Sequence, residues 1–207
     1  MADAGSAPDA RDLPPLEADC SACAALCCVG LAMDRGAAFA IDKPAGVPCP
    51  NLSGHACTVH ATLGARGFGG CVRFDCTGAG QRTVALFSGA SWRDDPDMLT
   101  PMLDTFRHLR RVHELLGLLV TVGTLPLTTR EQARRRSLRD ALCPDDMTVA
   151  RAAALADGPV PGRVERFLRD LGGCLRPLRA SADRPTSDRK TSDRSETCPS
   201  PQARSKT

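Results

Sequence analysis

Residues Asp19–Cys28 read DCSACAALCC and place four thiols, Cys20, Cys23, Cys27 and Cys28, within nine residues. Sulfur this dense has three uses: a disulfide framework, thiol redox chemistry or metal ligation. Cys20-x2-Cys23 has the spacing of a metal knuckle, in which a tight turn aims both sulfurs at one ion while backbone N–H groups point back at them. Adjacent side chains diverge, so Cys27 and Cys28 read less as a two-tooth chelator than as one thiol joining the knuckle. Its neighbour then serves a second site or packs.

Working outward, Cys49, Cys57, Cys71 and Cys76 follow at intervals of eight, fourteen and five residues, so eight of the 11 cysteines lie between Cys20 and Cys76. His55 and His60 flank Cys57 and are candidate additional ligands. Glycines from Gly64 to Gly80 supply the sharp turns that bring distant ligands together. The stretch DKPAGVPCPNLSGH (Asp42–His55) is turn-rich and offers little apolar surface, so it needs a cross-link to fold. The expectation is a Cys-rich metal-binding module over residues 19–95, with Cys20, Cys23, Cys27, Cys28, Cys49, Cys57, Cys71 and Cys76 as ligands. Eight thiols fill two four-ligand sites, or one site with spares.

Placement in the cell decides between metal and disulfide. Residues 1–19 carry Asp3, Asp9, Asp12, Glu17 and Asp19 and no apolar core, which argues against a signal peptide. The most apolar run, Leu115–Leu127, has 13 residues and contains Gly117, Gly123 and Pro126. A spanning helix needs roughly 20 apolar residues. A cytoplasmic protein is expected, and in a reducing cytosol dense cysteine favours metal or transient thiol chemistry over disulfides. The 207 residues carry a net charge of +3, too little to imply a polyanionic partner. Of 27 basic residues only Lys43, Lys190 and Lys206 are lysine, and there is no Tyr, so the core is mainly Ala, Leu and Val.

Beyond residue 95 the pattern becomes helical. Leu99, Met102, Phe106, Leu109, Val112, Leu116 and Leu119 recur at steps of three or four, the stripe of an amphipathic helix. Thr100 is its expected N-cap, with Pro101 in the first turn, and Gly123 and Pro126 mark its end. A second helix opens on the capping-box pattern Thr128-Thr129-Arg130-Glu131 and stops before Pro144. A third covers Asp146–Ala156. A fourth places Val164, Phe167, Leu168 and Leu171 on one face before Gly172-Gly173. The expected fold is mainly α: a flexible arm (1–18), the irregular metal-stabilised Cys-rich module (19–95), a small helical module (96–178) and a disordered, polar C-terminal tail (179–207).

CSACAALCC, PCPNLSGHACTVH and GCVRFDC resemble the bacterial CxxCxxCC family, which implies zinc or iron chelation. Cys23 and Cys27 are separated by three residues where that family has two. DCSACAALCCVGL, FAIDKPAGVPCPNL, CTVHATLGARGFGGCVRFDCTGAGQ and SWRDDP resemble, more extensively, the N-terminal region of bacterial pentapeptide-repeat-containing proteins. That likeness runs from about Asp19 to Asp95 and more weakly to about Val122. The pentapeptide ladder itself is absent; CLRPLRASADRPTSDRK stands where it would start. Activities tied to the repeats are therefore not carried over.

Zinc and an iron–sulfur cluster both take four thiolates, and Pro48 and Pro50 around Cys49 suit either; zinc is the commoner structural solution. A structural metal standing in for a small core is the simplest role, with a redox or iron–sulfur enzyme or electron carrier, or a protein- or nucleic-acid-interaction module, as the alternatives. His108 and His113 do not form a zinc-helix motif, since Gly117 stands where a second His would be. GFGGCV and GAGQ are not phosphate loops, no catalytic triad or paired carboxylates stand out, and Asp94, Asp95 and Asp97 around Pro96 read as a turn. Arg130, Arg134, Arg135, Arg136 and Arg139 read as a solvated helix face rather than a nucleic-acid surface, because no aromatics interleave them. The partners expected are a metal ion and an unidentified protein, with neither membrane nor nucleic acid.

Overall fold

The structure, a computed structural model, describes residues 13–182, with the side chains of 173–182 left aside. Most of the tail expected to be disordered (179–207) and most of the expected N-terminal arm lie outside the described residues, as does Cys198, while residues 179–182 are helical as the end of the last helix. The chain divides at Val164 into two units; everything below concerns the first unless stated.

The protein is mainly helical, with seven α-helices and one two-stranded hairpin among the described residues. A 3-10 turn at Cys20–Ala22 leads to α1 (Leu26–Gly30), the hairpin β1 (Leu52–Ser53) and β2 (Ala56–Cys57), then α2 (Gly69–Arg73) and α3 (Ala79–Leu86). The long helix α4 (Leu99–Val122) follows, then α5 (Thr129–Leu142), α6 (Val149–Asp157) and α7 (Pro159–Ala182).

Helix α4 organises the core because its stripe is apolar over the whole length. Met102, Phe106, Leu109, Val112, Leu116 and Leu119 are all buried, each contributing roughly 1.5–3 kcal/mol of apolar burial. It packs against α6, α3, α5 and α1. One continuous cluster joins Met102, Phe106 and Leu109 to Ala24, Leu26, Val29 and Ala79 from the cysteine-rich stretch, to Trp92, and to Ala152 of α6. Trp92 is anchored by its Nε1–H, which donates to Ala24 O at 2.7 Å.

Helix boundaries follow local chemistry, with three differences from the sequence pattern. Helix α4 starts at Leu99, fed by a 3-10 turn at Pro96–Met98 whose N-cap Asp95 accepts from Asp97 N. Thr100 is thus already inside the helix, because the turn at Asp94–Asp97 makes the start itself. Helix α6 begins later than expected, where the Thr148 hydroxyl accepts from Arg151 N. Helix α7 runs through Gly172-Gly173; a helical glycine costs only about 1 kcal/mol and does not by itself stop a helix. The α5 capping box is as expected: Glu131 N donates to Thr128 Oγ1 while Thr128 N donates to the Glu131 carboxylate.

The arginine face of α5 is a correction. Arg130, Arg134 and Arg136 are exposed, but Arg135 and Arg139 are buried. Arg135 Nη1 donates to Leu119 O at 3.2 Å and its Nε to Gln132 Oε1 at 2.8 Å. The α4–α5 junction uses the guanidinium to reach the Leu119 carbonyl in the last turn of α4. Among the described residues no helix is long and apolar enough to cross a membrane.

His113 is a satisfied core histidine. Its Nδ1 lies 2.7 Å from Thr77 O, so that nitrogen carries the proton and donates. Burial lowers its pKa from the ordinary 6.5, the Thr77 bond opposes this, and Arg82 adds to the lowering. The unfolded chain therefore binds the proton more readily, and stability falls as pH drops below about 6.5 towards the lowered folded value. The expected slope from this group is at most about 1.4 kcal/mol per pH unit. Urea melts between pH 7.5 and 5 should show that slope reduced in His113→Gln; an unchanged slope would put the acid sensitivity elsewhere.

Candidate metal centre

The ten residues singled out by the cysteine pattern come from seven separate pieces of chain. Cys20 opens the first 3-10 turn and Cys23 closes it. Cys27 and Cys28 lie on α1, Cys57 on β2 and Cys71 on α2. Cys49 precedes the hairpin, and His55 sits at its tip. His60 begins a 3-10 turn, and Cys76 sits in the turn before α3. All eight cysteines and both histidines line one cavity of about 590 Å³. Phe39, Phe68 and Phe74 complete its wall, an apolar component that the scattered aromatics of the sequence did not announce.

The knuckle is built by its backbone. Asp19 caps the first turn, accepting from Ser21 N at 2.9 Å, and Cys23 N bonds back to Cys20 O. Ala25 then adopts a left-handed conformation (φ 55°, ψ 36°), an unfavourable one for a residue with a Cβ. The N–H groups of Leu26 and Ala25 point at the Cys23 sulfur, yet burial still pushes its thiol up to about 11. Gly80 makes room for this sulfur: a Cβ there would meet Cys23 Sγ at 2.6 Å and Cys76 Sγ at 3.8 Å.

The Cys27 and Cys28 sulfurs lie 3.9 Å apart, within hydrogen-bonding reach of each other. Cys27 is pushed well up by its bond to Cys28, then by burial; Cys28 is pulled down by the same bond, against burial and with help from Lys43. The backbone ties this side of the cavity together, since Cys49 N donates to Cys28 O at 3.1 Å.

Electrostatic neighbourhoods sort the thiols into two overlapping groups. Burial raises Cys20, and its strongest thiol neighbour is Cys76, ahead of Cys28 and Cys57; Cys23 feels Cys76 and Cys20. Cys27 feels Cys28, then Cys23 and Cys20. Cys71, also raised by burial, feels Cys28, Cys49 and Cys57. One group is centred on Cys20, Cys23, Cys27 and Cys76, with Cys20 also neighbouring Cys28 and Cys57. The other is Cys28, Cys49, Cys57 and Cys71, and the vicinal pair is the seam between them.

His55 is held from behind. Its Nε2 lies 2.8 Å from Ser91 Oγ, which itself accepts from Arg93 N, and its ring leans on Trp92. This is the arrangement that fixes a metal-binding imidazole through its second nitrogen. Among the described residues no group of three or more His, Cys, Asp or Glu side chains is drawn tightly enough to hold an ion already; the thiols converge without closing a shell.

The donor set nonetheless fits a soft, thiolate-loving metal. Eight sulfurs share one cavity with no carboxylate among its lining residues, and thiolates select zinc and iron–sulfur centres. Lys43, which the pattern did not single out, is buried behind the Cys28–Cys49 side. The signal for it was compositional: a lysine in a chain that has only three among its 27 basic residues.

No family model matches the chain, and no solved structure matches it. The chain is similar to the uncharacterized protein YybG of Bacillus subtilis (strain 168), with 42% identity over 103 residues. The match covers 49% of this chain and 37% of that relative, so the chain spans well under half of the relative's length.

Proposed function

We propose that this chain is a metal-binding protein in which the eight cysteines from Cys20 to Cys76 hold zinc or an iron–sulfur centre whose first role is structural. The observation that carries the reading is the convergence of all eight thiols, with His55 and His60, on one cavity from seven pieces of chain. Unpaired thiols have no folding reason to gather so completely, whereas a shared metal gives each piece a common anchor. Zinc would supply a closed four-coordinate cross-link; an iron–sulfur cluster would supply the same cross-link and electron transfer. The chain's own part is to aim the sulfurs, through the Ala25 turn and the Gly80 gap, and to keep water off them with Phe39, Phe68 and Phe74.

The two thiol groups suggest two four-ligand sites rather than one. Metal content measured by mass spectrometry on anaerobically purified protein, with a visible spectrum, tests the reading. We expect about two sites' worth of metal on the four-thiolate arithmetic, with Cys23→Ser and Cys71→Ser each losing one share and keeping the other. Protein supplied with zinc and iron that carries neither would end the proposal.

A redox role is the second reading, favoured by the Cys27–Cys28 pair, whose ionisation is split in favour of Cys28. Fast, selective alkylation of Cys28 in the metal-loaded protein would support it. Slow, uniform alkylation would leave the structural role alone.

A further inference from the structure

Lys43 is 4% exposed, an unusual place for an ammonium group. Its Nζ donates to three backbone carbonyls, Val47 O at 2.8 Å, Pro44 O at 3.0 Å and Val29 O at 3.2 Å. These use all three of its protons but supply no negative charge. Asp42 beside it faces elsewhere: its Oδ1 accepts from Arg35 N at 2.7 Å and its Oδ2 lies 3.6 Å from Arg35 Nε. Among the described residues no carboxylate pairs with Lys43. The ionisable side chains nearest it electrostatically are thiols, Cys49 first, then Cys28 and Cys27, and two of the carbonyls that hold it, Val29 O and Val47 O, lie one and two residues from Cys28 and Cys49.

The backbone fixes that placement. Lys43 N and O both bond to Met33, at 2.8 Å each, and Gly46 N donates to Val29 O at 2.9 Å, so the loop is strapped onto the end of α1. The same α1 carries Cys27 and Cys28, and Cys28 O receives Cys49 N. The ammonium is thereby held behind one thiol group by carbonyls rather than by a carboxylate, and cannot swing away.

We propose that the Lys43 ammonium is the built-in counter-charge of the Cys28–Cys49 thiolate group, making it a positioning residue for the metal that this group holds. The proposal rests on the reading of the cysteines as ligands. Four thiolates on a divalent ion leave a net charge of about −2, and burying uncompensated charge is costly unless an opposite charge is fixed nearby. A lysine suits the role because its compact charge fits a carbonyl cup that the planar guanidinium fork of arginine does not match. This accounts for a lysine at 43 in a chain whose other described cations are arginines and histidines.

The bland alternative is that Lys43 only caps the carbonyls at the end of α1. Three variants separate the two. Lys43→Gln keeps hydrogen-bond donors and loses the charge; Lys43→Met loses both; Lys43→Arg keeps the charge. The readout is competition for Zn²⁺ against a chromophoric chelator, with the thiolate-to-Co²⁺ charge-transfer band as a second signature and circular dichroism as the folding control. A counter-charge predicts that Gln and Met weaken Zn²⁺ binding by about 10–100-fold, the usual range for supporting residues around a metal. It also predicts that Arg recovers part of the loss, and that only the share of metal removed by Cys71→Ser is affected. Wild-type affinity in the Gln variant would overturn the proposal while leaving the metal reading intact. A wild-type chain that binds no Zn²⁺ or Co²⁺ would overturn both.

Discussion

Stripping the metal with a chelator under reducing conditions is expected to unfold residues 31–78 while leaving α4, α5 and α6 helical. Ordering a backbone costs roughly 1–2 kcal/mol per residue. Against this, the buried apolar side chains of that stretch are Met33, Cys49 and Phe68, worth about 1.5–3 kcal/mol each. Its regular structure is two two-residue strands, one three-residue 3-10 turn and one five-residue helix. Structural zinc supplies apparent binding free energies of about 10–16 kcal/mol in small domains, more than the apolar burial of this stretch contributes in total. Hydrogen exchange of the loaded and stripped protein reads the result directly. Protection across 31–78 should collapse on chelation, while the α4 amides around Phe106 keep theirs. A stripped, metal-free protein that stays protected from 31 to 78 would show that packing alone suffices, and would remove the structural role proposed for the metal.

Gly80→Ala should break the first thiol group from a position that is not itself a ligand. An added Cβ would sit 2.6 Å from Cys23 Sγ, 3.4 Å from Cys23 Cβ and 3.8 Å from Cys76 Sγ. Alanine improves helix propensity by about 1 kcal/mol, so the backbone of α3 favours the change. The clash opposes it, at about 1–3 kcal/mol for an overpacked site, and is relieved only by turning the Cys23 sulfur out of its place. The expected outcome is lower stability and at least about a tenfold loss of affinity in the share of metal that Cys23→Ser also removes. Gly117→Ala is the control, because a Cβ on α4 there meets nothing within 4 Å; it should be neutral or stabilising. Equal metal affinity in Gly80→Ala and the parent would show that Cys23 and Cys76 do not act at one site.

The differences between pattern and structure have local causes. The Thr100 cap was the best reading of Thr100-Pro101, yet the Asp95–Pro96 turn had already started the helix. The five arginines around α5 look like one charged face in the sequence. Two of them are buried because α5 leaves α4 by a short connection, and the carbonyl of Leu119 lies within reach of Arg135. Neither outcome follows from a residue's own preferences; each depends on which neighbour comes within hydrogen-bonding distance.

What the sequence determined by itself was everything with a short period or a fixed spacing. The α4 stripe, the α5 capping box and the cysteine density of the stretch that lines the cavity were all legible, because helix periodicity, cap chemistry and thiol density act over a few residues. Only the tertiary structure decided how those residues meet. That Gly80 makes room for the Cys23 sulfur, 57 positions away, and that Lys43 is held on the carbonyl of Val29, 14 positions away and next to Cys28, are long-range contacts. Their cause is packing: α1 and α3 dock on the same apolar face of α4, and that docking brings the distant thiols round one cavity.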